Sequence, residues 1–354
     1  MGEKAGLFAS ALRRELGARN RLWARGRAHV ESYGKPPVIV YSAEESRHGN
    51  FFNAAYEAIC ARPEWMRRFD KIHAQGKSLP KPETGPNGEP GRRWREIDSS
   101  MSSDALLMNV FCTPGVVEAG AVERALGVDG ENAAVFGWKA RVALKSGRFD
   151  RTEVDMRWGS LLVEAKLTEG DFQTCKAEVV ERYRDFDSVF DRELLPRMEV
   201  RTARRKEETE FPEDYSQEFE GVVEGSPSGA EACPFLAGSM YGLKPVPFER
   251  VGSDAGTEVG YAGYQLIRNV LAAYAEDCSF CVLHDARRPD LREAWFAVMA
   301  AVKSAEMRVR LKVLTWQELA EVLPCELQEF LDLKYGIVEP RTVASSMGDS
   351  GEFF

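Results

Sequence analysis

The pattern of apolar and polar positions separates a helical N-terminal region from a mixed α/β core. Residues 1–75 are expected to be helical, because apolar side chains recur there on one broad helix face. The face is formed by Phe51, Phe52, Ala55, Tyr56 and Ile59. Residues 76–91 contain four prolines and four glycines, a composition that favours a loop over helix or strand. We therefore predict a core at 92–335, with 336–354 as a C-terminal tail.

The first half of the core predicts helices followed by strands. Serines 99, 100, 102 and 103 precede an apolar run and predict a capped helix, and Pro114 is expected to begin a second helix that ends at Leu126. Residues rich in valine and aromatics predict strands at 133–144, 151–158 and 161–167. Gly159 and Ser160 separate the last two strands, which is typical of a two-residue hairpin turn.

The second half of the core predicts an insertion and then alternating helices and strands. A charged, helical stretch near 172–209 and a region rich in Gly, Ser and Pro at 221–256 indicate an insertion at about 170–260. Beyond it, periodicity predicts a helix at 264–274, a strand at 280–283 and a buried helix at 295–302. A strand at 309–314 and a helix at 316–330 complete the core.

The predicted hairpin places charged side chains together. With Gly159 and Ser160 as the turn, Asp155 lies opposite Glu164 and Glu153 lies opposite Lys166, all on one face of the sheet. Carboxylates so placed repel each other unless a cation offsets them. Mg²⁺ takes hard oxygen ligands and completes its shell with water, so this face predicts a magnesium site. Lys166 would place a positive charge beside this metal ion and stabilise the negative charge that develops on a phosphate during hydrolysis.

One other interpretation of this hairpin stays open, and its acid-x-lysine motif is weak evidence by itself. The four charged groups could form cross-strand salt bridges on an exposed face, with Lys166 neutralising Glu153. An acid-x-lysine triplet is also weak by itself, since a second copy occurs at Asp332-Leu333-Lys334. That copy follows apolar residues at helical spacing, which indicates a surface helix. The strand context of the first triplet therefore carries the argument.

An acid on one strand, a hairpin and then Glu-x-Lys resemble the PD-(D/E)XK nuclease superfamily, which has the restriction-endonuclease-like fold. Segments SSDALLMNVF, EAKLTEGDF and GYQLIRN are similar to those of bacterial proteins described only as restriction-endonuclease-like. The resemblance covers about residues 92–320. It implies an α/β fold whose core runs helix, three antiparallel strands, helix and strand, here with the N-terminal helical region and the insertion added.

The resemblance also implies roles for individual residues. Asp155 and Glu164 would ligate Mg²⁺, for which Mn²⁺ would substitute, and Lys166 would be the catalytic lysine. Glu96 is the first choice for the further acid of the first core helix, and Gln265 resembles a glutamine that some exonuclease-like branches place near the active centre. Glu118 and Glu123 are alternatives to Glu96. Glu153-Val154-Asp155 departs from the family pattern, since Pro-Asp would stand there.

Charge and hydropathy limit the kinds of binding partner that the sequence predicts. The net charge of −9 disfavours nucleic-acid binding by the whole surface, although basic residues cluster locally. The clusters are Arg92, Arg93 and Arg95; Arg141, Lys145, Arg148 and Arg151; Arg201, Arg204, Arg205 and Lys206; and Arg308, Arg310 and Lys312. The longest apolar run, 295–302, has eight residues, far fewer than the ~20 of a membrane-spanning helix. We therefore expect no membrane association.

The remaining chemistry-bearing residues favour no other enzyme class. Seven scattered cysteines form no disulfide framework, which predicts a reducing cytoplasm, and only Cys278 and Cys281 have CxxC spacing. Nucleophile-elbow and phosphate-loop motifs are missing from the sequence. The sequence thus predicts a cytoplasmic, Mg²⁺-dependent DNA nuclease, expected to be an endonuclease, with a homodimer left open. The alternatives are a catalytically inactive nuclease-fold module that binds a partner or nucleic acid, and a nuclease for RNA or single strands.

Overall fold

The computed structural model describes residues 2–72, 79, 93–128, 133–201 and 257–337. Outside these residues lie the predicted loop 76–91 apart from residue 79, residues 202–256 of the predicted insertion, and the tail from 338. The helices are α1 (Gly2–Trp23), α2 (Asn53–Cys60), α3 (Pro63–Phe69), α4 (Ser103–Phe111), α5 (Gly120–Leu126), α6 (Ala177–Val180), α7 (Phe186–Val189), α8 (Tyr264–Ala275), α9 (Pro289–Ala300), α10 (Ala305–Arg308), α11 (Trp316–Ala320) and α12 (Cys325–Tyr335). The strands are β1 (His29–Glu31), β2 (Ile39–Tyr41), β3 (Val135–Ala143), β4 (Phe149–Trp158), β5 (Leu161–Ala165), β6 (Thr174–Lys176), β7 (Arg197–Arg201), β8 (Thr257–Ala262), β9 (Ser279–His284) and β10 (Leu311–Thr315).

A five-stranded mixed sheet in the order β10-β9-β5-β4-β3 forms the centre of the fold. Strands β3, β4 and β5 are antiparallel neighbours, whereas β9 runs parallel to β5 and β10 parallel to β9. The predicted α/β fold class is therefore confirmed. Along the chain, α4 precedes the three antiparallel strands, and α8 precedes β9.

Two apolar clusters pack on the two faces of this sheet. One contains α4, in which every residue from Asp104 to Phe111 is buried, together with Trp158 of β4. A helix that is buried all round must be covered on its outer side as well. Leu12 and Leu16 of α1 belong to the same cluster, so the N-terminal region packs on the core that α4 shares with the sheet. The other cluster contains α8 and Trp295 of α9.

The N-terminal prediction is only partly correct. Helices α1, α2 and α3 are present, but β1 and β2 pair antiparallel between α1 and α2, where the sequence analysis expected helix. Ile39, Val40 and Tyr41 are fully buried, and β-branched and aromatic side chains of this kind suit a pleated surface. The residue types of β2 therefore favour the pairing of β1 with β2, and the prediction of helix for all of 1–75 did not take them into account.

Four other predicted helices are wrong in extent. The helix expected at 295–302 is α9, which begins six residues earlier, with Pro289 at its first position. The stretch near 172–209 contains β6, the short α6 and α7, and β7, because β6 and β7 both pair with β8, which lies more than 50 residues further along the chain. The helix expected at 114–126 begins only at Gly120. The helix expected at 316–330 is divided into α11 and α12, since Pro324 is the N-cap of α12 and cannot donate a backbone hydrogen bond.

A buried lysine on α12 carries a testable consequence for stability. Lys334 is fully buried, and its Nζ donates to Oδ1 of Asn20 at 2.8 Å, while the Tyr41 hydroxyl donates to the same oxygen at 3.0 Å. Burial, with a smaller contribution from Arg27, lowers the pKa of Lys334 well below its ordinary value. The folded protein therefore gives up this proton at lower pH than the unfolded chain does.

We expect the stability of the wild type to rise with pH between the lowered pKa of Lys334 and the ordinary lysine value, because the unfolded chain binds more protons in that window. Lys334→Met should remove this rise and be at least as stable at neutral pH, since Tyr41 still satisfies Asn20. Urea unfolding from pH 7 to 10 measures both effects. A variant with an unchanged pH slope would contradict the prediction.

Candidate active site

Asp155 and Glu164 lie where β4 and β5 separate. The two strands pair through Met156 and Val163, Arg157 and Leu162, and Trp158 and Leu161, in the predicted hairpin register. Gly159 in the turn has a φ of 56°, a conformation that favours glycine.

Beyond Met156 the strands diverge. There Glu164 and Ala165 pair with β9, opposite Val282 and Leu283. On the side of β5 that faces β4, the Ala165 amide donates to a side chain instead of to the backbone. Its acceptor is Asp155 Oδ2, at 2.8 Å.

Glu164 and Lys166 form a buried pair that α8 holds in place. Lys166 Nζ donates to Glu164 Oε1 at 2.6 Å and to Gln265 Oε1 at 3.1 Å. Asn269 Nδ2 donates to the second oxygen of Glu164 at 2.7 Å. Gln265 and Asn269 are four residues apart on α8 and therefore share one helix face. The structure thus brings together Glu164, Lys166 and Gln265, which the sequence analysis singled out, and adds Asn269.

The register prediction fails for the outermost pair of the hairpin. Lys166 has no ladder contact with Glu153, because the ladder between β4 and β5 ends at Met156 and Val163, while β5 stays paired with β9 and the Lys166 amide donates to the carbonyl of Leu283 at 2.8 Å. Glu153 instead accepts hydrogen bonds from Arg68 and Lys71. The regular alternation predicted for β4 is also interrupted. Val154 and Met156 are two residues apart, but they pack in the two apolar clusters on opposite faces of the sheet. The simple pattern of cross-strand salt bridges is therefore not the arrangement found.

Asp104 is a third carboxylate beside this point, and the sequence analysis missed it. It lies in the first turn of α4, whose N-cap Ser102 accepts from the Ala105 amide. Both Asp104 oxygens accept from Arg68 Nη2, at 2.7 and 2.8 Å, and the same nitrogen lies 3.6 Å from Asp155 Oδ1. An acid two residues after the N-cap serine was the available signal, because the first turn of a helix points its side chains toward the chain that precedes it.

The other predicted acids lie further away. Glu96, in a short 3-10 helix at Glu96–Asp98, contacts Lys71 at 3.2 Å, and Lys71 also contacts Glu153 at 2.9 Å. Glu96 is thus linked to the site through one lysine. Glu123 lies on α5, and Glu118 lies in the turn before it.

Burial and like charge disfavour the ionised form of Asp155. Removal from water is the main cause, and the negative charges of Glu164 and Asp104 act in the same direction, so the pKa of Asp155 is raised well above its ordinary value. Burial alone would lower the pKa of Lys166, but the negative charges of Glu164, Glu169 and Asp155 together outweigh it, so the pKa is raised. Lys166 therefore stays positively charged beside the buried carboxylate of Glu164.

Asp155 and Glu164 offer a magnesium ion two carboxylate ligands rather than a complete ligand shell. Among the described residues, no group of three His, Cys, Asp or Glu side chains is placed to hold a metal, so water would complete the shell. Asp155 is the accessible ligand, with a fifth of its side-chain surface exposed, whereas the Glu164 side chain is 4% exposed. Two hard carboxylate donors whose mutual repulsion a cation would relieve suit Mg²⁺ or Mn²⁺.

Two further sequence expectations can be compared with the structure. Cys278 and Cys281, like the other cysteines in the described part of the chain, are free thiols. Arg95 is buried and pairs with Asp98 and Asp70. It is therefore not available for nucleic-acid binding as a member of the basic cluster at 92–95. Arg92 lies outside the described residues. Within the residues described, no helix has the length and apolar character needed to cross a membrane.

Comparison with known proteins identifies one family. No curated protein and no solved structure matches the chain significantly. The sequence model of a family described as "Restriction Endonuclease associating with ARP" matches residues 18–336, a range that extends from α1 to just beyond α12 and includes Arg68, Asp104, Asp155, Glu164 and Lys166. The chain therefore belongs to this restriction-endonuclease family.

Proposed function

We propose that this protein is a Mg²⁺-dependent nuclease of the PD-(D/E)XK type that hydrolyses phosphodiester bonds in DNA. The observation that carries the proposal is the convergence of Asp155, Glu164 and Lys166 where β4 and β5 separate. Two observations support it. The family is described as restriction endonucleases, and the order α4, β3 to β5, α8 and β9 agrees with the core that the sequence resemblance implies.

The site residues divide the work of hydrolysis. Asp155 and Glu164 would hold the magnesium ion, which supplies the positive charge that makes a water a better nucleophile and stabilises a phosphate oxygen. Lys166 adds a fixed cation whose Nζ is held by Glu164 and Gln265, and this charge stabilises the negative charge that develops at phosphorus. Asn269 orients Glu164 through its second oxygen.

A pair of arginines on β3 and β4 is suited to contact the DNA backbone. Arg141 and Arg151 are directly opposite each other on neighbouring strands, and both are exposed. Like charges in this position destabilise a sheet unless an anion lies between or above them. Arg151 precedes Asp155 by four residues on the same strand, so a backbone bound at these arginines continues toward the site.

The direct test is an assay of purified protein on several substrates. Supercoiled plasmid, linear duplex DNA, single-stranded DNA and RNA are incubated with Mg²⁺, Mn²⁺ or EDTA. We expect nicked and linear plasmid with Mg²⁺ or Mn²⁺ and intact plasmid with EDTA. Shortened linear duplex with intact supercoiled plasmid would indicate an exonuclease, and products from RNA alone would overturn the choice of DNA. Binding without cleavage of any substrate would indicate an inactive nuclease-fold module.

Asp155→Asn should separate metal binding from folding. The new amide oxygen can still accept from the Ala165 amide, and the raised pKa of Asp155 means that its charge is unfavourable in the folded state. We therefore expect the variant to be as stable as the wild type, or more so, without metal. Mg²⁺ at about 100 times its Kd should stabilise the wild type by about 2.7 kcal/mol and leave the variant unchanged and inactive.

Thermal or urea unfolding with and without Mg²⁺ measures this difference. The matched control is Asp332→Asn, since Asp332 belongs to the second acid-x-lysine triplet and is half exposed on α12. It should keep both cleavage and the Mg²⁺ response. An Asp155→Asn protein that is unfolded, or that still gains stability from Mg²⁺, would contradict the metal assignment.

Lys166→Met should affect the chemical step rather than metal binding. Its cation is lost, so we expect the cleavage rate to fall by about 100- to 1,000-fold, as when one stabilising donor is removed from an active site. Mn²⁺ affinity should stay the same or rise, because a competing positive charge next to Glu164 has gone. Single-turnover cleavage and Mn²⁺ titration measure the two effects. Lys334→Met is the control, and wild-type cleavage by Lys166→Met would refute the role.

Arg141→Gln combined with Arg151→Gln should weaken DNA binding mainly at low salt. If each arginine contacts one phosphate, the slope of log affinity against log salt should become shallower by about two. Fluorescence anisotropy with a catalytically inactive Asp155→Asn background, at several salt concentrations, gives the slope. Arg184→Gln is a suitable control, because this exposed arginine already pairs with Asp185. Equal slopes for all proteins would place the DNA elsewhere.

A further inference from the structure

Arg68 of α3 lies inside the acidic site, not at its rim. Its side chain is 6% exposed, and its guanidinium contacts three carboxylates: Asp104, Glu153 and Asp155. The contact with Asp104 is the most complete, because Nη2 reaches both oxygens. A divalent cation in a nuclease site would occupy the same kind of position between carboxylates.

The neighbouring backbone is shaped to admit this guanidinium. Gly137 of β3 has a φ of 63°, and a Cβ at this position would lie 3.3 Å from Arg68 Nη1. Trp65, one turn earlier on α3, donates its indole Nε1 to the carbonyl of Ala134 at 2.8 Å. The helix that carries Arg68 is thus anchored at the start of β3, and β3 leaves space for its side chain.

The charges of the ion pairs around the site leave room for one divalent cation. Arg68, Lys71 and Lys166 pair with five carboxylates, namely Asp104, Glu153, Asp155, Glu96 and Glu164. With all groups ionised, two negative charges remain uncompensated. One magnesium ion would neutralise them, and a second would leave an excess of two positive charges in a partly buried cluster, which is unfavourable.

We propose that Arg68 takes the place of a second metal ion, so that the site binds one divalent cation between Asp155 and Glu164. Asp104 is then the ion-pair partner of Arg68 and does not ligate the metal. The inference rests on the proposed nuclease function and adds the number of metal ions to it. It also makes Arg68 a positioning residue, because it fixes Asp155 and Asp104 without contacting the reacting atoms.

Mn²⁺ binding to the full-length protein tests the inference, with free Mn²⁺ measured by electron paramagnetic resonance. We expect one Mn²⁺ per wild-type chain and two per Arg68→Met chain, since Asp104 and Asp155 would then face each other without a cation between them. Arg68→Lys should restore a count of one. Arg67→Met, which removes an exposed arginine of the same helix, should bind as the wild type does.

A second variant keeps the inference testable if Arg68→Met does not fold. Asp104→Asn should change the Mn²⁺ affinity by less than about threefold, whereas loss of a direct ligand should weaken it by about tenfold or more. Two Mn²⁺ per wild-type chain, one in Arg68→Met, or a large loss in Asp104→Asn would each overturn the inference while leaving the nuclease proposal in place. Absence of any Mn²⁺ binding to the wild type would overturn both.

Discussion

The close approach of buried carboxylates is the constraint on which this structure depends. Asp104, Asp155 and Glu164 come from three different elements and meet where water is largely excluded, so each needs a cation within reach. Two of the cations are Arg68 and Lys166. Removing one partner of such a buried pair typically costs about 3–5 kcal/mol, because the other charge is left unpaired. The site and the stability of its surroundings are therefore coupled.

This constraint explains why the N-terminal region belongs to the same body as the sheet. Arg68 reaches the carboxylates only because α3 packs beside β3, with Trp65 bonded to the Ala134 carbonyl. Leu12 and Leu16 of α1 pack in the cluster that also contains α4, the helix that carries Asp104. The family match, which begins at residue 18, likewise includes these helices. The chemistry of the core is thus completed by residues that precede it in sequence.

Much of the sheet could be predicted from the chain because its signals are local. Strands β3, β4, β5, β9 and β10 have β-branched and aromatic residues, and Gly159 followed by Ser160 fixes the hairpin register that places Asp155 near Glu164. The small sheet of β6, β8 and β7 could not be predicted in the same way, since β8 follows β7 only after residues 202–256. Pairing over such a distance leaves no periodicity in either segment.

The site was predictable only as far as the hairpin reaches. Asp155, Glu164 and Lys166 follow from alternation along two strands, but the pairing of Lys166 with Glu153 failed because the ladder between β4 and β5 ends at Met156 and Val163, while β5 stays paired with β9 on its other side. Alternation within the hairpin cannot reveal where its ladder ends, nor that β5 is also held by a parallel strand more than 100 residues away. Arg68 carried no signal at all, since an arginine on a short helix is ordinarily a surface residue.

The two acid-x-lysine triplets show what local structure adds to a motif. In Glu164-Ala165-Lys166 the first and third residues come from the end of a strand, where alternate side chains share a face, and the two charged groups are 2.6 Å apart. In Asp332-Leu333-Lys334 the same spacing lies on α12, where residues two apart point in different directions. Asp332 is half exposed near Arg19, while Lys334 is buried against Asn20. The same acid-x-lysine spacing thus gives an ion pair at the end of a strand and two unrelated contacts on a helix, so the chemistry depends on the strand and not on the triplet.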